Sequence, residues 1–162
     1  SYRSSANFGG DRWNHSNKDV KPVVLIAYDS RIHGMTQIKT LLPYVETASL
    51  TPEGLCFEAI MKDIIDASRG KDSYFVNMCD GCPYYNDYWG DSAVQHTKAQ
   101  VKKMRYEGIK VISYFITSSM ESADSRESSQ FKTMYGKDSQ FVDTNKIAEI
   151  ARTMNSKFLE TA

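Results

Sequence analysis

The sequence predicts an α/β domain of the doubly wound kind, with a mainly parallel sheet and helices on both of its faces. Two observations carry that expectation. Short runs such as VVLIAY at residues 23–28 and IKVISYFIT at residues 109–117 are almost unbroken in β-branched, aliphatic and aromatic side chains, the composition of strands covered on both sides. Between such runs lie segments whose apolar residues recur every three or four positions, as they do on helices laid against a sheet.

Residues 1–22 read as an exposed loop or the end of an upstream strand, since residues 4–22 (SSANFGGDRWNHSNKDVKP) hold adjacent glycines, three asparagines and no apolar period. The domain is expected to occupy residues 23–162. Its first strand is residues 23–28, closed by Asp29-Ser30. A weak helical stretch opens at Gly34 and runs through Ile38, Leu41 and Leu42 to Pro43, whose ring stops it. Thr51-Pro52-Glu53 has the chemistry of a helix start, with Thr as N-cap, Pro in the first turn and an acid beside the positive end of the helix dipole. Phe57, Ile60, Met61 and Ile64 then fall on one face, and Glu58, Lys62 and Asp66 on the other.

Residues 73–78 (SYFVNM) form the next expected strand, followed by a loop at residues 79–90 (CDGCPYYNDYWG). Asp91 or Ser92 can cap a helix with Val94, Thr97, Val101 and Met104 inward, and Gly108 is placed to end it. The strand at residues 109–117 follows. Residues 118–130 (SSMESADSRESSQ) are Ser-rich and charged and read as a mobile surface loop. A short strand at residues 140–142 leads to a helix capped by Asp143 or Thr144 that packs through Ile147, Ile150, Ala151, Met154 and Phe158.

Bulk properties narrow the class of function. The 162 residues are 41% apolar and 12% aromatic, enough for one core. Twenty basic residues balance twenty acidic ones, so no long-range field draws the chain to nucleic acid or an anionic membrane. No apolar run is long enough to span a bilayer, and the N-terminus lacks a secretory pattern. Three cysteines, an odd number, do not make a disulfide scaffold. A cytoplasmic protein in a reducing compartment is expected.

Ligands of doubly wound sheets gather at the carboxyl ends of the strands, and the loop at residues 79–90 begins at such an end. That draws attention to Asp80 in NMCDGCP and Thr51 in SLTPEG, although singly one reads as a turn residue and the other as an N-cap. These two segments, the order of strands and helices, and HTKAQVKKMRYEGIKVISYFI resemble the second half of a von Willebrand factor A-type domain, Rossmann-like in fold. The resemblance covers about residue 22 to the end. Nearest in kind are the C-terminal domains of cobaltochelatase large-subunit-like proteins, including bacteriophage versions described under porphyrin or cobalamin biosynthesis.

The resemblance implies a divalent cation, usually magnesium, held by three loops: an Asp-x-Ser-x-Ser loop after the first strand, a Thr from a second loop and an Asp from a third. Asp80 matches the third-loop aspartate, with Cys79 where serine is common, and the second-loop ligand falls on Thr51, or on Ser49 if the loop is shifted by two. Hard oxygen ligands and waters suit magnesium, and an acid from a partner can complete the octahedron. The chain holds no Asp-x-Ser-x-Ser; Asp29-Ser30-Arg31-Ile32-His33 fails at the last serine. With that loop the family's first strand is missing too, and the sequence opens Ser1-Tyr2-Arg3 without Met. The expectation is either a partial domain, truncated at its N-terminus, or a degenerate member that binds metal weakly or not at all.

The function implied is a metal-dependent protein-interaction module of a chelatase-like complex, with an AAA+ ATPase or chelatase subunit as partner and no catalytic residue required. The competing expectation is an enzyme, either a metal-inserting subunit or a hydrolase with Cys79 or Cys82 as nucleophile, which needs His33 or His96 within reach. Cys79-x-x-Cys82 with Cys56, His33 and His96 lacks the second pair of a zinc site and does not open a helix as a redox pair would. Tyr84, Tyr85, Tyr88 and Trp89 either present a partner-binding surface or fold back over the next helix. No phosphate-binding glycine motif is present, and Lys98, Lys102, Lys103 and Arg105 read as a solvated helix face.

Overall fold

A computed structural model describes residues 34–41, 43, 51–85, 87–117, 125–146 and 148–159. The expected strand at residues 23–28, residues 1–22, His33 and Ser49 lie outside them. The elements are α1 (Met35–Leu41), α2 (Glu53–Ser68), β1 (Tyr74–Cys79), α3 (Gly90–Tyr106), β2 (Lys110–Thr117), α4 (Arg126–Tyr135), β3 (Ser139–Asp143) and α5 (Ala148–Leu159), with short 3₁₀ turns at Gly136–Asp138 and Thr144–Lys146. No helix among the described residues is long and apolar enough to cross a membrane.

The three strands form one parallel sheet in the order β1-β2-β3. Tyr74 pairs with Lys110 and Cys79 with Phe115, while Ser113 pairs with Ser139 and Thr117 with Asp143. This is the α/β arrangement that the unbroken apolar strands predict, because a parallel strand needs a crossover and the crossover helix covers a face. The alternation along β2 divides the core in two. Val111 and Phe115 face α2, α3 and α4, where they meet Phe57, Met61, Val101, Met104, Phe131 and Met134. Ile112 and Tyr114 face the other side, with Val142 of β3 and Ile150 of α5. Each such side chain taken from water contributes on the order of 1.5–3 kcal/mol before entropy is counted.

Phe57 and Met61 bury the inner face of α2, and Val94, Thr97, Val101 and Met104 that of α3, at the predicted positions. Gly108 ends α3 with φ +82°, a left-handed conformation that glycine adopts freely. The amide of Ile109 then donates to the Met104 carbonyl and that of Gly108 to the Arg105 carbonyl, satisfying two of the last carbonyls of the helix.

Several local expectations are corrected. The Ser-rich stretch read as a loop to residue 130 becomes α4 from Arg126, with Ser125 as N-cap accepting from the Ser128 amide at 3.2 Å. Ser128, Phe131, Met134 and Tyr135 are buried, so this helix supplies the crossover between β2 and β3. The caps expected of Asp91 and Ser92 are not used: α3 begins at Gly90 after an extended Trp89, and no side chain caps it. Asp143 instead accepts from the Asn145 amide in the 3₁₀ turn ahead of α5. Ala151 is exposed and Ile147 lies outside the described residues; Ile150 is buried against Ile112, Tyr114 and Val142, with Met154 half-buried beside it and Phe158 edge-on to Tyr74.

Candidate functional site at the carboxyl edge of the sheet

β1 ends at Cys79, and the chain after it turns back on the segment that precedes α2. Thr51 and Tyr84 form an antiparallel bridge, with the Thr51 amide 2.8 Å from the Tyr84 carbonyl and the Tyr84 amide 2.9 Å from the Thr51 carbonyl. Extended backbone at Thr51 moves the helix start downstream: α2 begins at Glu53, and Pro52 occupies the flanking position without a side-chain cap. The expected N-cap role of Thr51 is therefore corrected. Its hydroxyl donates instead to the Cys82 carbonyl at 3.2 Å. A hydroxyl whose proton is given to a carbonyl keeps its lone pairs for a cation, which an N-cap hydroxyl accepting from an amide would not.

Asp80 stands exposed immediately after β1, with no hydrogen bond or ion pair to another described residue. Two residues later the same loop meets Thr51, so both groups belong to the carboxyl edge of the sheet. Among the described residues no three His, Cys, Asp or Glu side chains form a metal-binding group. A cation here would rest on the Thr51 hydroxyl, the Asp80 carboxylate and oxygens from water or other chain segments, a hard donor set of the kind magnesium takes.

Beneath this edge lies a polar cluster that the sequence pattern does not reveal. Asn77 Nδ2 shares its two protons among Glu53 Oε1 at 2.5 Å, Ser113 Oγ at 3.1 Å and the Tyr135 hydroxyl at 3.1 Å. Ser113 and Tyr135 are fully buried. Burial raises the Glu53 carboxyl above its ordinary range, against hydrogen bonds from Tyr135, Asn77 and Cys79 that favour the ionised form. The cluster joins α2, β1, β2 and α4 under the Thr51 segment. A single polar residue inside each of two apolar strands, Asn77 in YFVNMC and Ser113 in KVISYFIT, is the signal that could have located it.

The four aromatic residues divide. Tyr84 and Trp89 are 51% and 60% exposed. Tyr85 is half-buried and pairs its backbone with Tyr88 in a tight turn. Tyr88 is fully buried, its hydroxyl 3.2 Å from the Ala93 carbonyl, 3.2 Å from Thr97 Oγ1 and 3.0 Å from His96 Nδ1. It anchors the loop where α2 crosses α3. Gly54 allows that crossing: a Cβ there would lie 2.3 Å from the Tyr88 hydroxyl and 2.9 Å from Thr97 Cα.

His96 is committed to this junction. Its Nε2 lies 3.1 Å from Gln100 Nε2 and 3.5 Å from Glu58 Oε2, an oxygen with no hydrogen-bond partner among the described residues. All three cysteines are free and half-buried. Burial and the nearby Glu53 push the Cys79 thiol far up, and burial with Glu127 and Glu53 pushes Cys82 up to about 11. A nucleophilic cysteine needs the opposite shift. Compared with family models, curated proteins and solved structures, the chain gives no match.

Proposed function

We propose that the chain is a protein-interaction module of the von Willebrand factor A type, whose contact face is the carboxyl edge of the sheet and whose affinity depends on a divalent cation, magnesium in the first instance. The observation that supports this reading is the closure of the loop after β1 onto Thr51, which leaves the Thr51 hydroxyl and the exposed Asp80 carboxylate, unpaired among the described residues, at the same edge of the sheet. Exposed Tyr84 and Trp89 flank that edge and offer the rigid, amphipathic area that binding hot spots use. An acidic side chain of the partner fills a cation position, so neither surface binds well without the ion. The sequence resemblance supplies the class of partner, an AAA+ ATPase or a chelatase subunit. On this reading the chain serves cobalamin- or porphyrin-related metal insertion as a binding component. The raised thiols weigh against a cysteine-dependent hydrolase.

The test is calorimetric titration of magnesium into the chain and into Asp80→Ala. The expected result is binding by the parent that the variant loses by tenfold or more, with metal-free thermal stability unchanged within about 0.5 kcal/mol because Asp80 is exposed. Equal binding by both would overturn the assignment.

A further inference from the structure

Two hydrogen-bond acceptors face one another where the loop after β1 is anchored between α2 and α3. Tyr88 stands over Gly54 of α2 and Thr97 of α3, and Glu58 follows one turn further along α2. Glu58 Oε2 is shut away from solvent with no hydrogen-bond partner among the described residues. A buried oxygen without a donor is costly. What it meets is His96 Nε2 at 3.5 Å, too far for a formed bond.

The state of the ring accounts for that gap. The Gln100 amide nitrogen, one turn along α3, lies 3.1 Å from His96 Nε2 and donates to it. Nε2 is then the bare nitrogen, and Nδ1 carries the proton given to the Tyr88 oxygen at 3.0 Å. Tyr88 passes its own proton to the Ala93 carbonyl at 3.2 Å. With Glu58 ionised, a lone pair on Nε2 therefore confronts a lone pair on Oε2. One proton between them turns this repulsion into a hydrogen bond, whichever atom holds it, and Gln100 serves either state by turning its amide. The ring is not free to swing away: it packs edge-on against Tyr88 with centroids 5.7 Å apart, and both residues have further contacts. Among the described residues, Tyr88 of the loop and Lys103 of α3 act on the pair, while Lys62, one turn beyond Glu58, is exposed.

We propose that Glu58 and His96 form a pH-sensitive clasp between α2 and α3, closed by one shared proton and opened by its loss, that sets how firmly Tyr88 holds the loop carrying Tyr84 and Trp89. Burial raises the Glu58 carboxyl, and an imidazole ordinarily titrates at about 6.5, so the folded chain keeps this proton above the ordinary carboxyl range. Closure belongs to the acid side and is lost as pH rises. The clasp needs no cation; its effect on partner binding rests on the contact face proposed above.

The test is hydrogen exchange at about pH 5.5 and about pH 8.5 of the Tyr85 and Tyr88 amides, which bond to each other's carbonyls across the turn, corrected for intrinsic rates. Expected in the parent is protection that falls tenfold or more at the higher pH, in step with a shift of the His96 ring nitrogens in NMR. Glu58→Gln, whose amide donates to Nε2 at any pH, should keep its protection within twofold between the two. An equal fall in Glu58→Gln would place the titrating group elsewhere and overturn the proposal. The parent decides by itself as well: ring nitrogens that titrate while loop protection stays constant would overturn it.

Discussion

Replacing Gly54 by alanine should destabilise the protein, although alanine is the better helix former. The added Cβ would fall 2.3 Å from the Tyr88 hydroxyl, 2.6 Å from Thr97 Oγ1 and 2.9 Å from Thr97 Cα, where ordinary contacts begin at 3.4 Å. The hydroxyl can swing away only by giving up its bonds to Ala93, His96 and Thr97. The Thr97 backbone can yield only if α2 and α3 part by about half an ångström, which loosens contacts along both helices. Overpacking of this kind costs about 1–3 kcal/mol, and the gain in helix propensity offsets about 0.5–1 of it. A net loss of about 1–2 kcal/mol lowers Tm by roughly 2–8 °C in a domain of this size. Differential scanning calorimetry of Gly54→Ala measures it, with Gly81→Ala, outside the left-handed region and with no atom of the described residues within 4 Å, as the control. Adding Tyr88→Phe to Gly54→Ala removes the closest atom, and the double-mutant cycle should show a favourable coupling of about 1 kcal/mol. A rise in Tm for Gly54→Ala would refute the tight crossing and with it the anchoring of the aromatic loop.

Further outcomes follow from the site chemistry. With its thiol raised to about 11, Cys82 should react with iodoacetamide at pH 8 on the order of 200-fold more slowly than a free thiol near 8.5, and the rate should climb about tenfold per pH unit; free-thiol reactivity at neutral pH would contradict the burial and acidic surroundings assigned to it. Burial raises the Glu58 carboxyl, opposed by Lys103, so its contribution to stability is complete below the ordinary carboxyl range and is lost as pH rises through the raised value. The Tm of Glu58→Gln relative to the parent should therefore increase between pH 4 and pH 8, and a relative decrease would show that the ionised form is the favoured one. Thr51→Val should cost about 1 kcal/mol by leaving the Cys82 carbonyl without its hydroxyl donor, read by chemical denaturation; no change would mean that the bond at 3.2 Å contributes nothing.

What the sequence made legible is what periodicity encodes. The runs around Val76 and Ile112 have the apolar density of strands buried on both faces, and the spacing of Val94, Thr97, Val101 and Met104 turns one side of α3 inward. Composition misled at α4, where serines and charges dominate and the buried face consists of Phe131, Met134 and Tyr135 with one serine, Ser128, among them. The chemistry of the edge was legible as residue types but not as bonds. Thr51 looked like an N-cap because Thr-Pro-Glu starts many helices, and only the long-range pairing with Tyr84 turned its hydroxyl to Cys82. Tyr88 could not be told from Tyr84 within YYNDYW, since the difference between an anchor and an exposed ring depends on Gly54, thirty-four residues away in the chain. The Glu53, Asn77, Ser113 and Tyr135 cluster is likewise assembled by the fold from four elements.

The central claim, that the loop after β1 and the Thr51 segment together hold a divalent ion, is tested most directly by manganese as a paramagnetic stand-in for magnesium. Substoichiometric manganese broadens amide signals steeply with proximity and reports even a weak site. Expected is selective broadening of Thr51 and of residues 79–82, reversed by excess magnesium and absent in Asp80→Ala. Broadening centred elsewhere, for instance around Asp72 or Asp138, or unchanged by Asp80→Ala, would contradict it.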